Sequence, residues 1–328
     1  MTSPSLDVVA IGDAIVDVIA TTTDQFLEQR GLRKGSMQLL SATEADALYD
    51  AMGPGRESSG GSAANSMAGV AALGLNAAFI GQVADDQLGR IFTHDLRSLG
   101  VRFETPPISS GLPTGRCLIL VTPDAQRTMN TCAGASHELT PASLDHDLIA
   151  SAAVTFLEGY LWGPERPRQA MLKAAEIAHG AGRVVAFTLS ESLCLGDRRE
   201  GVLGMIEQGA VDILFGNEDE LLHLTGRTDL DAAVEQLSPK VRTLVATRGP
   251  AGALAVEGSG CIERAAAPVD RVVDTTGAGD LFAAGFLAAR CRGHPLERCL
   301  EVGATAAAEV ISHFGARPEA DLKHLIQL

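Results

Sequence analysis

Residues 273–286 read Val273-Asp274-Thr275-Thr276-Gly277-Ala278-Gly279-Asp280-Leu281-Phe282-Ala283-Ala284-Gly285-Phe286, a turn of small residues that runs directly into an apolar helical pattern. Backbone N–H groups at the start of such a helix, with the positive end of the helix dipole behind them, form a site for an anion. Gly277 and Gly279 leave room for a phosphate to approach the backbone. The stretch therefore predicts a phosphate site at a helix N-terminus.

Asp280 places a carboxylate within this predicted anion site. If the anion is a phosphoryl group in transfer, the amides offset its charge and the Asp280 carboxylate accepts the proton of the attacking hydroxyl. A carboxylate in the first helical turn also stabilises the helix as a cap, so both roles stay open from these residues alone. The sequence has no G-x-x-x-x-G-K-[ST] motif and no G-x-G-x-x-G after its first strand, which leaves a kinase without a P-loop as the favoured class.

Apolar, β-branched runs alternate with helical patterns along the rest of the chain. The predicted strands are residues 8–11, 77–80, 154–157, 184–189, 213–215 and 244–246. The predicted helices are residues 63–73, 87–99, 166–179, 218–224, 280–291 and 296–311. Strands that alternate with helices predict an α/β fold with a doubly wound, mostly parallel sheet flanked by helices.

Two segments interrupt this alternation, at about residues 17–40 and 101–133. The second contains strand-like runs at residues 116–122 and 126–132 on either side of Thr122-Pro123-Asp124-Ala125, a pattern typical of a β-hairpin. Strands inserted at two places predict a small sheet standing over the carboxyl edge of the main sheet, where ligands bind in open α/β folds. We expect one domain over residues 1–328 with this small sheet as a lid.

A second glycine-rich element, Ser58-Ser59-Gly60-Gly61-Ser62-Ala63-Ala64-Asn65, opens a predicted helix. Gly60 and Gly61 allow close approach of a ligand, and Asn65 offers a donor and an acceptor to hydroxyl groups, although a plain helix entry explains the pattern equally well. Asp13 and Asp17 follow the first strand with a spacing that puts both carboxylates on one side of an extended segment. They suit a polyhydroxylated substrate, with a solvated turn as the alternative.

Two further elements follow predicted strands. Gly216-Asn217-Glu218-Asp219-Glu220 gathers oxygen ligands of the kind that Mg²⁺ on nucleotide phosphates needs, and the same acids would also complement a helix dipole. Thr247, Arg248 and Gly249 could contact a nucleotide, although any β-turn reads this way.

Composition excludes several classes of function. The 328 residues carry 26 Lys and Arg against 41 Asp and Glu, a net charge of −15, which disfavours nucleic acid and anionic membranes as partners. The first basic residue is Arg30, so no secretory signal fits, and no uncharged apolar run approaches the length of a membrane span. Six scattered cysteines without a C-x-x-C pair argue against a zinc site and a disulfide framework. These features predict a reduced, cytoplasmic protein.

In chain order, the Gly60-Gly61 element with Asn65, residues 217–220, Thr247-Arg248-Gly249 and residues 274–280 resemble the ribokinase-like (PfkB) carbohydrate kinase family over essentially the whole chain. The resemblance implies an ATP-dependent kinase with a β lid. It implies that Asp280 is the general base and that the amides of Gly277, Ala278 and Gly279 form the anion hole. It also implies that Asn217 and Glu220 organise Mg²⁺, mainly through water.

Within the family the chain looks most like adenosine kinases and their bacterial relatives, through residues 12–17, 60–66 and 113–127. By that match Asp17, Gly61 and Asn65 hold ribose hydroxyls, and Arg127 reaches the phosphates from the lid. Tyr160 or Trp162 stacks on a purine, with core packing as the alternative. Asp13 departs from the amide residue that adenosine kinases carry there. A monovalent cation, K⁺ in particular, is expected beside Asp274.

The activity expected from the resemblance is transfer of the γ-phosphoryl group of ATP to the 5′-hydroxyl of adenosine, giving AMP in purine salvage. A sugar kinase acting on ribose, fructose or a related furanose, or a kinase for inosine or guanosine, is the alternative. A non-catalytic nucleoside or sugar binder and a nicotinamide-dependent oxidoreductase are the rival classes. A monomer and a homodimer are both compatible with the sequence.

Overall fold

The computed structural model describes residues 4–109, 111–124, 126–190 and 199–328. Ser110, Ala125 of the predicted hairpin turn and Cys194 lie outside the described residues. The other five cysteines are free thiols. Within the described ranges no helix is long and apolar enough to cross a membrane.

A nine-stranded sheet forms the body of the protein. Its strands, in spatial order, are β14 (Gly260–Arg264), β13 (Ala253–Glu257), β12 (Thr243–Thr247), β11 (Ile213–Asn217), β10 (Val184–Thr188), β9 (Ala152–Glu158), β1 (Leu6–Ile11), β5 (Ala77–Ile80) and β6 (Val101–Phe103). Pairing is parallel from β12 to β6, and the edge pairs β12–β13 and β13–β14 are antiparallel. All six predicted strands are present, which confirms the predicted fold class.

Helices cover both faces of this sheet because its strands are apolar on both sides. One face packs against α3 (Ser62–Ala72), α4 (Gln87–Ser98), α10 (Ala278–Cys291), α11 (Leu296–Val310) and α12 (Leu322–Ile326). The other packs against α5 (His146–Ser151), α6 (Glu165–Gly180), α7 (Arg199–Glu207), α8 (Glu218–Thr225) and α9 (Leu230–Leu237). The six helices predicted from periodicity are confirmed with bounds that differ by one or two residues.

A second, five-stranded sheet stands apart from the first. In spatial order its strands are β3 (Met37–Leu39), β8 (Arg127–Cys132), β7 (Gly115–Val121), β2 (Ile15–Thr21) and β4 (Arg56–Gly60). Helices α1 (Asp24–Gln29) and α2 (Ala42–Ala51) lie between its strands in sequence. Strands β7 and β8 are the predicted antiparallel hairpin.

The small sheet draws on residues beyond the two predicted insertions. β2 begins at Ile15, and β4 lies outside both segments, pairing antiparallel with β2. Conversely, β6 falls inside the second segment but pairs with β5 in the large sheet. The sequence of β4, RESSG, carries no β-branched or aromatic residue, so its strand conformation comes from pairing with β2 and not from local propensity.

The chain reverses its winding direction at β1. From β1 it adds β5 and β6 on one side, and later β9 to β12 on the other. In open α/β sheets such a switch point leaves a crevice at the carboxyl ends of the strands, and this is where ligands bind. Asp13, the second residue after β1, and Glu158, the last residue of β9, lie at that crevice.

Candidate active site

A cavity of about 940 Å³ lies between the carboxyl edge of the large sheet and one face of the small sheet. The predicted residues that line it are Asp13, Asp17, Gly61, Tyr160, Asn217, Glu220, Thr247, Gly277, Gly279 and Asp280. The other predicted residues are not among the described residues that line it: Gly60, Asn65, Arg127, Arg248, Gly249, Asp274 and Ala278. The fold thus brings together residues that are up to 267 positions apart (280 − 13 = 267).

The start of α10 forms one wall of the cavity. Gly277 is the N-cap residue, with a φ of 80°, and a Cβ added there would lie 2.7 Å from the Cα of Ala316. A Cβ at Gly279 would meet nothing within 4 Å. The N–H of Ala278 is already bonded to the Thr275 carbonyl at 3.2 Å. The cavity-lining glycines, Gly277 and Gly279, are therefore the residues whose backbone a phosphate can approach.

Asp280 does not cap its own helix, since α10 has no side-chain cap bond. Its carboxylate reaches across to α3, where Oδ1 accepts from the Ser62 hydroxyl at 2.6 Å and Oδ2 from the Asn65 amide at 2.9 Å. The Ser66 hydroxyl donates to the Asp280 carbonyl at 3.0 Å. Burial raises the pKa of Asp280, and the bonds from Ser62 and Asn65 partly oppose this rise. The carboxylate is held in one orientation at the cavity wall.

Asp13 and Asp17 enter the cavity from the β1–β2 segment. Oδ1 of Asp13 accepts from the Ser136 hydroxyl at 2.6 Å. Burial raises the pKa of Asp13, while the nearby His137 and the Ser136 bond lower it. Burial also raises the pKa of Asp17 to about 6, against the opposing charges of Arg317 and Arg127.

Gly60 and Gly61 make room for these two carboxyl groups. A Cβ at Gly60 would lie 2.4 Å from the carboxyl carbon of Asp17. Gly61, the N-cap residue of α3, has a φ of 92°, and a Cβ there would lie 2.3 Å from the Asp13 carbonyl oxygen. The glycine pair allows the Asp13–Asp17 segment to pack directly on the start of α3.

Glu158 is a cavity residue that the sequence analysis missed. Its side chain is fully buried at the end of β9, and Oε2 accepts from the Ala63 N–H at 2.8 Å. The other oxygen, Oε1, is buried without a hydrogen-bond partner. Burial raises the pKa of Glu158 well above its ordinary value, and the charge of Asp13 raises it further. The sequence did carry a signal for Glu158, because this acid directly follows the predicted strand at residues 154–157. Asp13 was identified from the same kind of position, after the predicted first strand.

Arg317 is a second residue that the sequence analysis missed. Its guanidinium donates to the Ala64 carbonyl at 2.6 Å and to the carbonyl and hydroxyl oxygens of Ser59 at 3.0 Å. The Ser59 hydroxyl in turn donates to Asp95 at 2.6 Å. These bonds join the C-terminal segment, α3 and β4 beneath the carboxylates. Its signal in the sequence is weak because its partners lie more than 200 positions away.

Arg127 lies on the lid strand β8 but its guanidinium contacts the loop before α10. It pairs with Asp274 Oδ2 at 2.6 Å and donates to the Thr276 hydroxyl at 3.0 Å. The Asp274 carboxylate also accepts from the Gly315 N–H at 2.9 Å and from the N–H and hydroxyl of Thr276 at 3.1 and 2.8 Å. Both Asp274 oxygens are therefore engaged by protein donors, and Arg127 links the lid to the anion-site loop.

The far end of the cavity is built from β11, β12 and α8. Asn217 and Glu220 form a reciprocal cap: Asn217 Oδ1 accepts from the Glu220 N–H, and Glu220 Oε2 accepts from the Asn217 N–H, both at 2.8 Å. Thr247 lines the cavity, whereas the Arg248 side chain pairs with Glu263 at 2.8 Å. No group of three or more His, Cys, Asp or Glu side chains among the described residues could hold a metal ion directly. Asn217 Oδ1 and Glu220 Oε2 are thus engaged by the reciprocal cap at the start of α8.

The face of the small sheet that covers the cavity is largely apolar. Strand pairing sets Ile119 beside Met129, and Met129 beside Met37. This apolar roof comprises Ile15, Met37, Leu39, Cys117, Ile119 and Met129. Tyr160 lines the cavity, while Trp162 is 2% exposed and packs edge-on against Phe187 with ring centroids 6.2 Å apart. Trp162 is therefore a core residue, so the alternative given for it in the sequence analysis, core packing and not stacking on a purine, is correct.

Comparison with known proteins shows the family to which the chain belongs and several of its relatives. The model of the pfkB family carbohydrate kinases matches residues 5–322. The chain is 46% identical to the adenosine kinase of Sinorhizobium meliloti, whose structure it matches with a TM-score of 0.92 over 98% of each chain. It is 44% identical to a "probable sugar kinase protein" from Rhizobium etli, with a TM-score of 0.93 over 99% of this chain and 98% of the other. It is also 33% identical to the ATP-dependent ribose-1-phosphate kinase of Halopiger xanaduensis, over 81% of this chain and 85% of the relative.

Proposed function

Because the chain belongs to the pfkB family of carbohydrate kinases, which transfer phosphate to a hydroxyl group, we propose that it transfers the γ-phosphoryl group of ATP to the 5′-hydroxyl of adenosine. The observation that carries the proposal is the Asp280 carboxylate, oriented by Ser62 and Asn65 beside the glycine-lined start of α10. A base and an anion site at one point are what in-line phosphoryl transfer requires.

The apolar roof favours a nucleoside as the acceptor. A flat purine buries apolar surface against Ile119, Met129 and Met37, and a bare sugar cannot. In this proposal the carboxylates of Asp13 and Asp17 accept hydrogen bonds from ribose hydroxyls, and Tyr160, which also lines the cavity, contacts the base. The similarity to the Sinorhizobium meliloti adenosine kinase supports the same acceptor.

A furanose sugar is the second candidate. It is favoured by the carboxylates at the acceptor end, Asp13, Asp17 and Glu158, which suit a densely hydroxylated ligand. A furanose would bind to these carboxylates without contacting the apolar roof.

In the proposed reaction the acceptor hydroxyl lies against Asp280, which takes its proton as the oxygen attacks the γ-phosphorus. The bond from the γ-phosphorus to the β,γ-bridging oxygen breaks at the same time, and ADP leaves. The backbone at Gly277 and Gly279 stabilises charge on the transferred oxygens. Asn217 and Glu220 would hold magnesium through water, and the ion would neutralise charge on the nucleotide phosphates. The lid strands exclude water that would otherwise hydrolyse ATP.

The test is ATP consumption with magnesium over adenosine, inosine, guanosine, ribose and fructose, with the product identified by mass. Turnover on adenosine with AMP as product supports the proposal, and turnover on a free sugar alone replaces adenosine by the second candidate. Repeating the assay with K⁺ exchanged for a large organic cation tests the monovalent-cation expectation at Asp274. Equal activity in both salts would remove it.

Asp280→Asn should retain the fold and ATP binding but lower kcat by roughly 10²-fold or more, because the amide cannot accept the hydroxyl proton. The matched control is Asp147→Asn, the same change at an exposed position in the first turn of α5. A variant at Asp280 with turnover near wild type would contradict the role of general base.

A further inference from the structure

Arg317 bonds to the elements that carry the candidate active site, although it is not among the described residues that line the cavity. Its guanidinium donates to the Ala64 carbonyl at 2.6 Å and to the carbonyl and hydroxyl oxygens of Ser59, both at 3.0 Å. Ala64 belongs to the first turn of α3, and Ser59 belongs to β4. Arg317 therefore acts on the site through these elements and through its charge.

The turn of α3 that Arg317 holds is the one that orients Asp280. Ala64 lies between Ser62 and Asn65, whose side chains donate to the Asp280 carboxylate at 2.6 and 2.9 Å. Misplacing a reacting group by about 1 Å lowers turnover by up to roughly 10²-fold, even when the altered residue lies away from the chemistry. The hydrogen bonds from Arg317 thus bear on the position of the proposed base.

Arg317 is also a positive charge that acts on Asp280. Burial raises the pKa of Asp280, whereas the hydrogen bonds from α3 and the charge of Arg317 lower it. Two acids face Asp280 from other elements with a charge of the same sign, Asp17 on β2 and Glu158 on β9. A second guanidinium, that of Arg127, acts on Asp17. A neighbouring positive charge favours the ionised carboxylate, and only that form accepts a proton from the acceptor hydroxyl.

The Arg317 guanidinium is itself held by Ser59 and by an acid of α4, Asp95. The Ser59 hydroxyl accepts from Arg317 at 3.0 Å and donates to Asp95 at 2.6 Å, and the Ser59 N–H donates to the same Asp95 oxygen at 2.7 Å. Burial lowers the pKa of Arg317 to about 10, and the charge of Asp95 opposes this change. Arg317 therefore stays charged over the whole pH range in which the carboxyl groups of the site titrate.

We propose that Arg317 is a positioning residue for phosphoryl transfer: it fixes the start of α3, which orients Asp280, and supplies the positive charge that keeps the Asp280 carboxylate ionised. It acts through α3 and Asp280 and contacts neither the acceptor nor the nucleotide. The proposal rests on the proposed function, because it assigns how the base of that reaction is kept in place and ready to accept a proton.

The experiment first removes the charge and the hydrogen bonds together. Arg317→Met should lower kcat by roughly 10-fold or more at pH 8, because the base is misplaced. KM for ATP should stay within about threefold of wild type, because the variant changes no nucleotide contact. Since Asp280 then stays protonated to higher pH, the loss of kcat should grow by roughly another 10-fold between pH 8 and pH 5.5.

Arg317→Lys separates the two contributions, because it keeps the charge but loses the paired donors of the guanidinium. It should lower kcat less than Arg317→Met does and keep the pH dependence of wild type. Arg102→Met, the same change at an arginine of β6 that is more than half exposed, is the matched control and should alter neither kcat nor its pH dependence. If Arg317→Met does not fold, Arg317→Gln removes the charge and keeps amide donors, and we expect the same change in pH dependence.

A titration that needs no acceptor measures the charge effect directly. The carboxyl ¹³C signal of Asp280, assigned by its loss in Asp280→Asn, should titrate at higher pH in Arg317→Met than in wild type, and as in wild type in Arg317→Lys. Because Arg317 also lowers the pKa of Asp17, the kinetic comparison is repeated with Asp17→Asn present in both proteins. The change in pH dependence should persist there.

A kcat near wild type in Arg317→Met, or a loss that is the same at every pH, would overturn the proposal while the kinase function stands. An altered pH dependence in Arg317→Lys, or its disappearance from Arg317→Met when Asp17→Asn is present, would overturn it too, since the charge would then not act on Asp280. If no acceptor is phosphorylated, the proposed function fails and the ¹³C titration decides. A higher midpoint for Asp280 in Arg317→Met then supports the role of Arg317, and equal midpoints overturn it.

Discussion

Gly277 and Gly279 belong to one motif but differ in what a side chain would meet. Gly277→Ala places a Cβ 2.7 Å from the Ala316 Cα at a φ of 80°, so we expect destabilisation on the order of 1–3 kcal/mol. Gly279→Ala meets nothing within 4 Å, so its thermal stability should equal wild type, while its methyl group intrudes on the phosphate and lowers kcat/KM by roughly 10-fold or more. Melting curves and steady-state kinetics of both variants check this contrast. If Gly279→Ala had the kcat/KM of wild type, the prediction that a phosphate binds against Gly279 would be wrong.

Asp17 links function to a cost in stability. Its pKa is raised from an ordinary 3.8 to about 6, mainly by burial, so the folded state binds its proton more tightly than the unfolded state does. The contribution of Asp17 to stability is therefore fully present below pH 3.8 and is lost as the pH rises through 6. Asp17→Asn removes the buried charge and should stabilise the protein by about 1–2 kcal/mol at pH 8, with little effect near pH 4.

Unfolding of wild type and Asp17→Asn by denaturant, at several pH values from 4 to 8, measures this difference. Asp231→Asn, the same change at an exposed position in the first turn of α9, is the matched control. A stabilising effect of Asp17→Asn that did not grow with pH would contradict the raised pKa of Asp17 in the folded protein. The same variant should raise KM for the acceptor, because an amide replaces a carboxylate below the ribose.

Single residues of the site were predictable where a local pattern surrounded them. Asp280 sits in a glycine-rich helix start, and Asn217 and Glu220 follow a buried strand with capping-box spacing. Ser62 follows the N-cap residue Gly61, and its hydroxyl bonds to Asp280, 218 positions away. Arg317 likewise finds its partners 253 and 258 positions away. No sequence window contains such pairs, so tertiary contacts alone reveal these roles.

Elements were predicted most accurately where they were buried and regular. β5 has the predicted bounds, since four fully apolar residues leave one interpretation. β14 was missed at the edge of the large sheet, because its mostly exposed residues show no alternation. β13 was missed although four of its five residues are buried. β4 was missed because its polar sequence becomes a strand only by pairing with β2.

The lid hairpin is joined to the anion-site loop by a nearly buried ion pair. The Arg127 and Asp274 side chains are 12% and 6% exposed and approach within 2.6 Å. Breaking one partner leaves the other charge uncompensated, so Arg127→Met and Asp274→Asn should each destabilise by about 2–4 kcal/mol. The double variant should be less destabilised than the sum, with a coupling on the order of 1–3 kcal/mol, as expected for residues in contact.

Denaturant unfolding of the two single variants and the double variant measures this coupling. The surface pair Arg102–Glu104, with both side chains more than half exposed, is the matched control and should show a coupling below about 1 kcal/mol. Additive effects at Arg127 and Asp274 would mean that the pair does not join the lid to the loop in solution.

At the scale of the whole molecule, the small sheet has two faces with different roles. One face covers the cavity, and the other places Val16, Val18, Leu118 and Leu120 in the same apolar core as β1, β5 and α10. A lid that was an independent domain would have a core of its own. Because its core is continuous with that of the body, we propose that residues 1–328 form a single cooperative unit with a lid whose own strands do not unfold separately.

Two buried thiols report on this proposal from within the wild-type protein. Cys117 lies on lid strand β7 and is 5% exposed, while Cys299 lies in α11 of the body and is 0% exposed. Burial raises their pKa values to about 12 and about 11, so in the folded state neither thiol provides the thiolate that alkylating reagents attack. If the lid and body unfold together, site-resolved alkylation should give both cysteines the same denaturant midpoint, coincident with the fluorescence change of Trp162. Exposed Cys261 should react without denaturant and confirms the reagent. Because the lid and the body share a core, the lid side chains cannot leave it without exposing those of the body. Alkylation of Cys117 at a denaturant concentration where Cys299 and Trp162 remain native would therefore contradict the single cooperative unit and show that the lid unfolds alone.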